Sequence, residues 1–385
     1  MENSKLVIDS DNEYHDAYTY MLGNAAYDIG LLSSEYDTLT DKSYTQNGKG
    51  LNIRLTIDDQ LQKLCYELVK GRRKSIAILS KHSGEVLALA GSYEEPFTLS
   101  GKVTPEQLES YSSAYEPVWL PEYLNEYHTG SVMKIYTSAV ACDTGLAGFT
   151  VEDTGVAFFN GKAIYNAYET RTKTENMTSA FINSSNVYFS TLAVRLGADT
   201  LKEYIGRFRM NCDIQTDFGT IRNSSGLKKR THDYDIASFG YGQGGYYSTV
   251  SMAMMAQAAL TGRLYRPHII ESAFYYDENG EEVTVRETEE EIISDNIISP
   301  EACRSVEYLM KAAANDGGFP NSSGVKTGTA QIVFDGRSAN RATMIATCCD
   351  KFIIAISEIS GEGEELYGSS HSSTMKQIIG VLEQY

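Results

Sequence analysis

A serine and a lysine three residues apart open an apolar stretch of the chain, EYHTGSVMKIYTSAV (126–140). On a helix, residues i and i+3 share a face, so Lys134 would lie beside the hydroxyl of Ser131. A lysine buried on that face loses hydration, which lowers its pKa. To act as a general base near neutral pH, its pKa must fall about 3 units from the free value near 10.4, or roughly 4 kcal/mol. A deprotonated Lys134 could then take the proton of Ser131 and make that serine a nucleophile.

The same two residues also allow a structural interpretation, in which Ser131 caps the helix and Lys134 extends to solvent. The spacing alone is weak, because Ser-x-x-Lys occurs four times, at Ser131, Ser225, Ser323 and Ser373. Only the first match opens an apolar helical pattern, and the free N–H groups of a helix N-terminus favour a developing oxyanion. Ser131 is therefore the candidate nucleophile.

Two further motifs carry polar groups of the right kind. In NSSNVYFSTLAVRLG, Ser184 and Asn186 precede a helical pattern. A hydroxyl there could relay a proton and a carboxamide could hold a peptide group, although both residue types are also preferred N-caps. In GVKTGTAQ (324–331), Gly328 within a strand would admit a ligand backbone, and Lys326 could bind a carboxylate or keep Lys134 neutral as a second cation. The alternative for this segment is an edge strand protected by its lysine and glycine.

The order SxxK, SxN, KTG resembles that of the penicillin-binding proteins, in their D,D-transpeptidase domain. The likeness extends to LTIDDQLQ, HSGEVLALA, INSSNVYFSTLAVRLG and FGYGQGGYYSTVSMAMMAQAAL, and it covers roughly residues 51–385. It implies a peptidoglycan D,D-transpeptidase that cross-links stem peptides through an acyl-serine intermediate and is inhibited by β-lactams. The implied fold class is α/β (α+β), an antiparallel five-stranded sheet flanked by helices with a helical subdomain, as in penicillin-binding proteins and serine β-lactamases.

The resemblance implies a role for each motif residue and calls for no metal and no cofactor. Ser131 would be the acylated nucleophile, Lys134 its base and Ser184 the relay to the leaving group. Asn186 would hold the donor peptide, with Gly242-Gln243-Gly244 forming a turn behind the site. The residues implied to bind the terminal carboxylate are Lys326, Thr327 and Thr329, with Gly328 letting the substrate lie along the strand. The backbone N–H groups of Ser131 and Thr329 would form the oxyanion hole.

The chain departs from the family pattern at three places. Thr129-Gly130 stands where the family often has Pro-Gly, Val132-Met133 stands where Thr-Phe is common, and RSANRATMIATCC replaces the usual His-Ala-Trp-Phe pattern. These differences bear on acceptor specificity and antibiotic affinity.

Two other functions compete with the transpeptidase. A class D-like serine β-lactamase is the first alternative, because Ser185-Asn186-Val187 fits its Ser-x-Val element by a one-residue shift. A lactamase with a glutamate base would need an ExxLN-like segment, and the only similar string, EYLN (122–125), lies before the nucleophile. A non-catalytic β-lactam sensor or scaffold domain is the second alternative.

Composition restricts the partners. The net charge of −18 argues against nucleic acid, and the six cysteines lack zinc-ligand spacing. No apolar run approaches the ~20 residues of a membrane helix. The resemblance to the monofunctional (class B-like) branch implies a position on the extracytoplasmic face of the bacterial membrane, with an anchor absent from this chain. It also implies stem peptides, β-lactams and membrane proteins of cell-wall synthesis as partners.

The elements that must position these motifs are readable from periodicity. Residues 1–50 predict a linker or the remnant of a preceding domain, and residues 51–385 predict the transpeptidase domain. Asp58 is a predicted N-cap, residues 74–92 a hairpin, 131–144 and 186–196 helices, and TLKE (200–203) a capping box. Three strand-like runs and a helix near 374–383 complete the chain. We expect one antiparallel sheet built from both ends of the chain and packed with helices.

Overall fold

The computed structural model describes residues 15–18, 21, 51–92, 122–167, 172–228, 231–334 and 336–385. Two short 3-10 helices matter for the site, Gly130–Met133 and Gly368–His371. The α-helices within the described residues are α1 (Asp59–Val69), α2 (Lys134–Asp143), α3 (Met177–Ile182), α4 (Asn186–Leu196), α5 (Ala198–Arg207), α6 (Asp233–Tyr241), α7 (Thr249–Thr261), α8 (Pro300–Asp316) and α9 (Ser372–Leu382). The strands are β1 (Asn52–Leu55), β2 (Lys74–Ser80), β3 (Val86–Ser92), β4 (Thr150–Asp153), β5 (Val156–Phe159), β6 (Lys162–Tyr165), β7 (Lys173–Asn176), β8 (Ile214–Thr216), β9 (Gly219–Ile221), β10 (Asn223–Ser224), β11 (Tyr246–Tyr247), β12 (Leu264–Tyr265), β13 (Ile270–Tyr276), β14 (Glu282–Glu287), β15 (Ile292–Ser294), β16 (Ser323–Phe334), β17 (Arg337–Cys348) and β18 (Phe352–Ile359).

The central sheet joins the two ends of the described domain. Its five strands run in the order β16-β17-β18-β2-β3, and every neighbouring pair is antiparallel. The predicted hairpin forms β2 and β3, and the three strand-like runs near the C-terminus form β16, β17 and β18. The prediction of one antiparallel sheet built from both ends is therefore confirmed. Strand β16, which carries the Lys326-Thr327-Gly328 motif, lies at the edge of this sheet.

Helices cover both faces of the sheet. On one face, α1 and α9 pack over a core that includes Leu61 and Ile378. On the other face, a larger core includes α2, α4 and α7. Helix α2 is buried from Lys134 to Ala141, and α7 from Thr249 to Leu260. The polar side chains of a helix that is buried on all sides depend on partners inside the protein, because solvent is out of reach.

Most predicted helix limits agree with the structure. Asp58 caps α1 by accepting the N–H of Leu61 at 2.8 Å, α4 ends before Gly197, and Gly145 follows α2 with φ +80°. The capping box predicted at TLKE is wrong, because α5 begins at Ala198 directly after Gly197. Gly197, with φ +82°, ends one helix and starts the next, so Thr200 already lies in the first turn.

A short N-terminal segment packs onto this core. Gln62 Nε2 donates to the carbonyl of Ala17 at 2.6 Å, and Met21 is buried in the larger core. The limit at residue 51 therefore stays a prediction, since residues on both sides of it pack together. Within the described ranges, no helix is both long enough and apolar enough to cross a bilayer.

Candidate active site

The turn that carries Ser131 is fixed between a loop and the edge strand. Residues Gly130–Met133 form one 3-10 turn, and α2 follows from Lys134. The N–H of Gly130 donates to the carbonyl of Gly242 at 3.0 Å. Gly130 has φ +64°, and a Cβ there would lie 2.6 Å from the carbonyl carbon of Thr329. Only glycine satisfies both conditions, and the turn that carries Ser131 therefore lies directly against β16.

Lys134 contacts the other motifs from beneath the site. Its Nζ lies 2.9 Å from Ser131 Oγ, 3.1 Å from Ser184 Oγ and 2.8 Å from Asn186 Oδ1, and it donates to the carbonyl of Ser184 at 2.7 Å. The side chain has no solvent exposure. Burial, and then the charge of Lys326, hold the pKa of Lys134 well below its usual range. Its ammonium form is therefore disfavoured, as a base requires.

Ser184 lies between two lysines in an unusual backbone conformation. Its φ is +53°, and its Oγ lies 3.1 Å from Nζ of Lys134 and 3.1 Å from Nζ of Lys326. The next hydroxyl faces elsewhere: Ser185 Oγ donates to Asp153 Oδ2 at 2.5 Å and caps α4 by accepting the N–H of Tyr188. The hydroxyl that faces the lysines is that of Ser184, the serine of the Ser-x-Asn motif. The serine of the shifted Ser-x-Val match, Ser185, faces the Asp153 carboxylate instead.

Strand β16 supplies the remaining motif residues. Lys326 is 2% exposed, its Nζ donates to the carbonyl of Thr327 at 2.9 Å, and burial lowers its pKa to about 7. Gly328 lies against the neighbouring elements, since a Cβ there would be 2.4 Å from Thr343 Oγ1 and 3.0 Å from the nitrogen of Ser131. Thr329 Oγ1 accepts the N–H of Gly368 at 3.1 Å, which leaves its hydroxyl hydrogen able to donate to a ligand.

The motifs meet at a cleft of about 1220 Å³. The predicted site residues that line it are Ser131, Ser184, Asn186, Thr327, Gly328 and Thr329. Lys134 and Lys326 lie behind these residues. Gln243 and Gly244 of the GQG segment also line the cleft, in the turn that follows α6. Among the described residues of the cleft wall the only carboxylate is Asp235, and Glu122 of the EYLN string does not reach the wall.

Several residues that support the site have no motif that a sequence search could find. Thr343 Oγ1 donates to the carbonyl of Thr129 at 2.8 Å, just before the turn that carries Ser131. Arg341 is fully buried, and its guanidinium donates to the carbonyls of Tyr127 at 3.0 Å and Tyr247 at 2.8 Å. The segment of β17 that departs from the family pattern therefore holds the backbone that leads to Ser131.

The fold places the chain in the class of mixed α/β domains with a five-stranded antiparallel sheet, and the comparisons identify the family. Residues 74–379 match the model of the family described as penicillin binding protein transpeptidase domain, and the chain belongs to that family. The chain is 28% identical over 296 residues to the penicillin-binding protein PbpB of Mycolicibacterium smegmatis, covering 73% of this chain and 42% of that protein. It is 25% identical over 326 residues to the peptidoglycan D,D-transpeptidase FtsI of Escherichia coli, covering 79% and 50%. The chain thus spans about half the length of these relatives.

Solved structures share the fold. The D,D-transpeptidase domain of a peptidoglycan glycosyltransferase from Eggerthella lenta superposes with a TM-score of 0.78 at 18% identity, over 92% of this chain and 87% of that one. Penicillin-binding protein A from M. tuberculosis, in a ceftriaxone acyl-enzyme complex, also gives 0.78, at 19% identity over 91% and 86%. The predicted fold class is therefore confirmed: the five-stranded antiparallel sheet with its flanking helices is that of a penicillin-binding transpeptidase domain.

Proposed function

We propose that this protein is a peptidoglycan D,D-transpeptidase that works through an acyl-enzyme on Ser131 and is inhibited by β-lactams. The observation that carries the proposal is the contact of Lys134 Nζ with Ser131 Oγ at 2.9 Å, in a site where a second buried lysine lies behind the shared Ser184. Family membership supports it, as does the similarity to FtsI of Escherichia coli, a peptidoglycan D,D-transpeptidase. Two buried cations that share one hydroxyl cannot both stay protonated at low cost, which favours a neutral base.

Acylation would proceed in balanced proton steps. Lys134 takes the proton of Ser131 Oγ as that oxygen attacks the carbonyl carbon of the penultimate D-alanine. The C–N bond breaks, and the departing amine of the terminal D-alanine receives a proton relayed by Ser184 from the lysine pair. The N–H groups of Ser131 and Thr329 would stabilise the oxyanion, because Gly328 and Gly130 let these two segments approach closely.

The acyl group would then pass to an amine of a second stem peptide. The amine attacks the ester carbonyl and gives its proton to Lys134 through Ser184. The C–O bond breaks, and Lys134 returns that proton to Ser131 Oγ, which restores the serine. Asn186 would hold the donor peptide: its Oδ1 contacts Lys134, and its Nδ2 donates one hydrogen to the carbonyl of Tyr165 at 2.9 Å, leaving a second hydrogen for a substrate carbonyl. Lys326, Thr327 and Thr329 would bind the terminal carboxylate.

The cellular setting belongs to the same proposal. Peptidoglycan stem peptides are substrates outside the cytoplasm, so the domain would act on the extracytoplasmic face of the membrane. The membrane proteins of cell-wall synthesis would be its partners there. The division of the chain at residue 51 is part of this proposal.

Intact-mass measurement with a fluorescent penicillin tests the central step. We expect a single stable adduct on the wild-type chain and none on Ser131→Ala. Release of D-alanine from a D-Ala-D-Ala peptide, with an amine product in the presence of an acceptor, separates a transpeptidase from a sensor or scaffold. Rapid loss of the drug without an adduct would contradict the proposal and indicate a β-lactamase.

A further inference from the structure

The turn formed by Ser184, Ser185 and Asn186, here the SSN turn, is held in a conformation that its own sequence does not favour. Ser184 has φ +53°, in the left-handed region that non-glycine residues rarely adopt. Such a conformation persists only where surrounding contacts fix it, and it is common at functional sites. The hydroxyl of this residue must lie between two lysines, so the contacts that hold the turn bear directly on the chemistry.

Two residues from another part of the chain supply those contacts. Asn166 Oδ1 accepts the N–H of Asn186 at 2.8 Å and the N–H of Val187 at 3.0 Å, which are free donors at the start of α4. Asp153, which has no solvent exposure, accepts from Ser185 Oγ at 2.5 Å and from Asn166 Nδ2 at 2.9 and 3.0 Å. The carboxylate therefore orients both the serine and the carboxamide that hold the turn.

Charge gives a second reason for a carboxylate at this position. Lys134 and Lys326 are buried side by side, and Asp153 is the carboxylate whose charge raises the pKa of Lys134, against the effects of burial and of Lys326. The other charged groups near Asp153 are compensated or distant. Lys173 is its cross-strand partner on β7, but Lys173 Nζ lies 2.7 Å from Glu175. Glu152 is exposed on β4, and Arg195 lies in the last turn of α4.

We propose that Asp153 and Asn166 are positioning residues of the SSN turn, and that the Asp153 carboxylate supplies the opposing charge for the buried Lys134. Neither residue is in the three motifs. The inference rests on the proposed acylation of Ser131, and it assigns to Asp153 a role that acts through Lys134 rather than on the substrate. The carboxylate raises the pH at which neutral Lys134 becomes available, against the larger effects of burial and of Lys326 on its pKa.

The test compares two neutral, nearly isosteric variants at buried carboxylates. Asp153→Asn removes the opposing charge and should move the acid limb of the acylation rate constant to lower pH by about one unit. Glu175→Gln is the matched control: Glu175 is also buried and also supports this region, accepting from Asn183 Nδ2 at 3.0 Å, but it does not contribute to the Lys134 shift. We expect the control to leave the midpoint unchanged. A slower rate in Asp153→Asn with an unmoved midpoint would overturn the charge role.

Asn166 variants test the positioning role separately. Asn166→Ala removes the acceptor of two α4 N–H groups, so the acylation rate constant should fall about tenfold or more while the dissociation constant of the initial penicillin complex stays within about twofold. Exchange of the Asn186 and Val187 amide hydrogens should become faster. Unchanged exchange would overturn the positioning role. If Asp153→Asn does not fold, Asn166→Ala still tests the positioning role, because it leaves the Asp153 carboxylate in place.

A spectroscopic readout separates this inference from the proposed function. The ¹³Cε signals of Lys134 and Lys326 report their titration without any turnover. A wild-type chain that penicillin does not acylate would refute the proposed function, while a lower titration midpoint in Asp153→Asn would still support the charge role. Identical titration in wild type and Asp153→Asn would overturn it whether or not the chain is acylated.

Discussion

Replacement of Gly130 by alanine is the sharpest test of how the nucleophile is positioned. The new Cβ would lie 2.6 Å from the carbonyl carbon of Thr329 and 2.7 Å from its nitrogen and oxygen, all backbone atoms of β16. Backbone in a paired strand cannot rotate away as a side chain would. The turn that carries Ser131 must therefore move, and contact becomes ordinary only after a shift of about 0.8 Å away from β16.

The expected magnitude has two parts. A left-handed alanine costs roughly 1–2 kcal/mol, and overpacking adds about 1–3 kcal/mol, so the free energy of unfolding should fall by roughly 2–5 kcal/mol. A shift of this size also separates Ser131 from the Thr329 N–H on the adjacent strand. Misplacement by about 1 Å can lower a rate by about 100-fold, and we expect a decrease of that order in the acylation rate constant.

The assay is stopped-flow acylation by a chromogenic β-lactam, with denaturant unfolding alongside. Gly145→Ala is the matched control, because Gly145 has φ +80° at the end of the same helix and nothing lies within 4 Å of a Cβ there. Gly145→Ala should lower the free energy of unfolding only by the roughly 1–2 kcal/mol of a left-handed alanine, and it should be acylated at the wild-type rate. Wild-type acylation by Gly130→Ala, or equal losses in both variants, would refute the reasoning that close contact with β16 positions Ser131.

Other predictions concern the elements behind the site. Thr343→Val removes the hydroxyl that donates to the Thr129 carbonyl at 2.8 Å. The free energy of unfolding should fall by about 1–3 kcal/mol, and acylation should be about tenfold slower. Unchanged acylation would mean that this hydrogen bond does not position the turn. Arg341→Met removes the guanidinium donor from the Tyr127 and Tyr247 carbonyls, which still accept the backbone N–H groups that these two residues donate to each other at 3.0 and 3.4 Å. It should lower the unfolding free energy by about 2–4 kcal/mol, more than Ser357→Ala, which removes only the Oγ partner of Arg341 Nε at 2.7 Å. An equal or smaller loss in chemical denaturation would contradict this. Lys326 loses its proton near pH 7 when folded and near 10.4 when unfolded, so the unfolded chain binds more protons between these values and stability should rise with pH. Between pH 7 and 8.5, Lys326 should raise the free energy of unfolding by about 2 kcal/mol, and Lys326→Met should remove that rise. If the free energy of unfolding rises with pH equally in wild type and Lys326→Met, Lys326 stays protonated in the folded protein.

The local elements could be predicted because their signals lie within short stretches. Asp58 caps α1, helix α4 runs from Asn186 to Leu196, and the strand-like runs form the sheet, since capping residues and apolar periodicity act over a few residues. The TLKE prediction failed for a related reason. A capping box is only a local preference, and Gly197 already placed the start of the helix two residues after α4.

The sequence by itself determined which groups are available for chemistry: Ser131 and Lys134 on one helix face, a serine and an asparagine before α4, and a lysine on a strand. Only the tertiary structure decided that Ser184 lies 3.1 Å from both lysines, that its hydroxyl rather than that of Ser185 faces them, and that Asp153 and Asn166 hold the turn. The physical reason is the separation along the chain of the residues that each kind of contact joins. Helix periodicity fixes neighbours three or four residues apart, whereas contacts between distant segments depend on how helices and strands pack, and burial of the lysines follows from that packing.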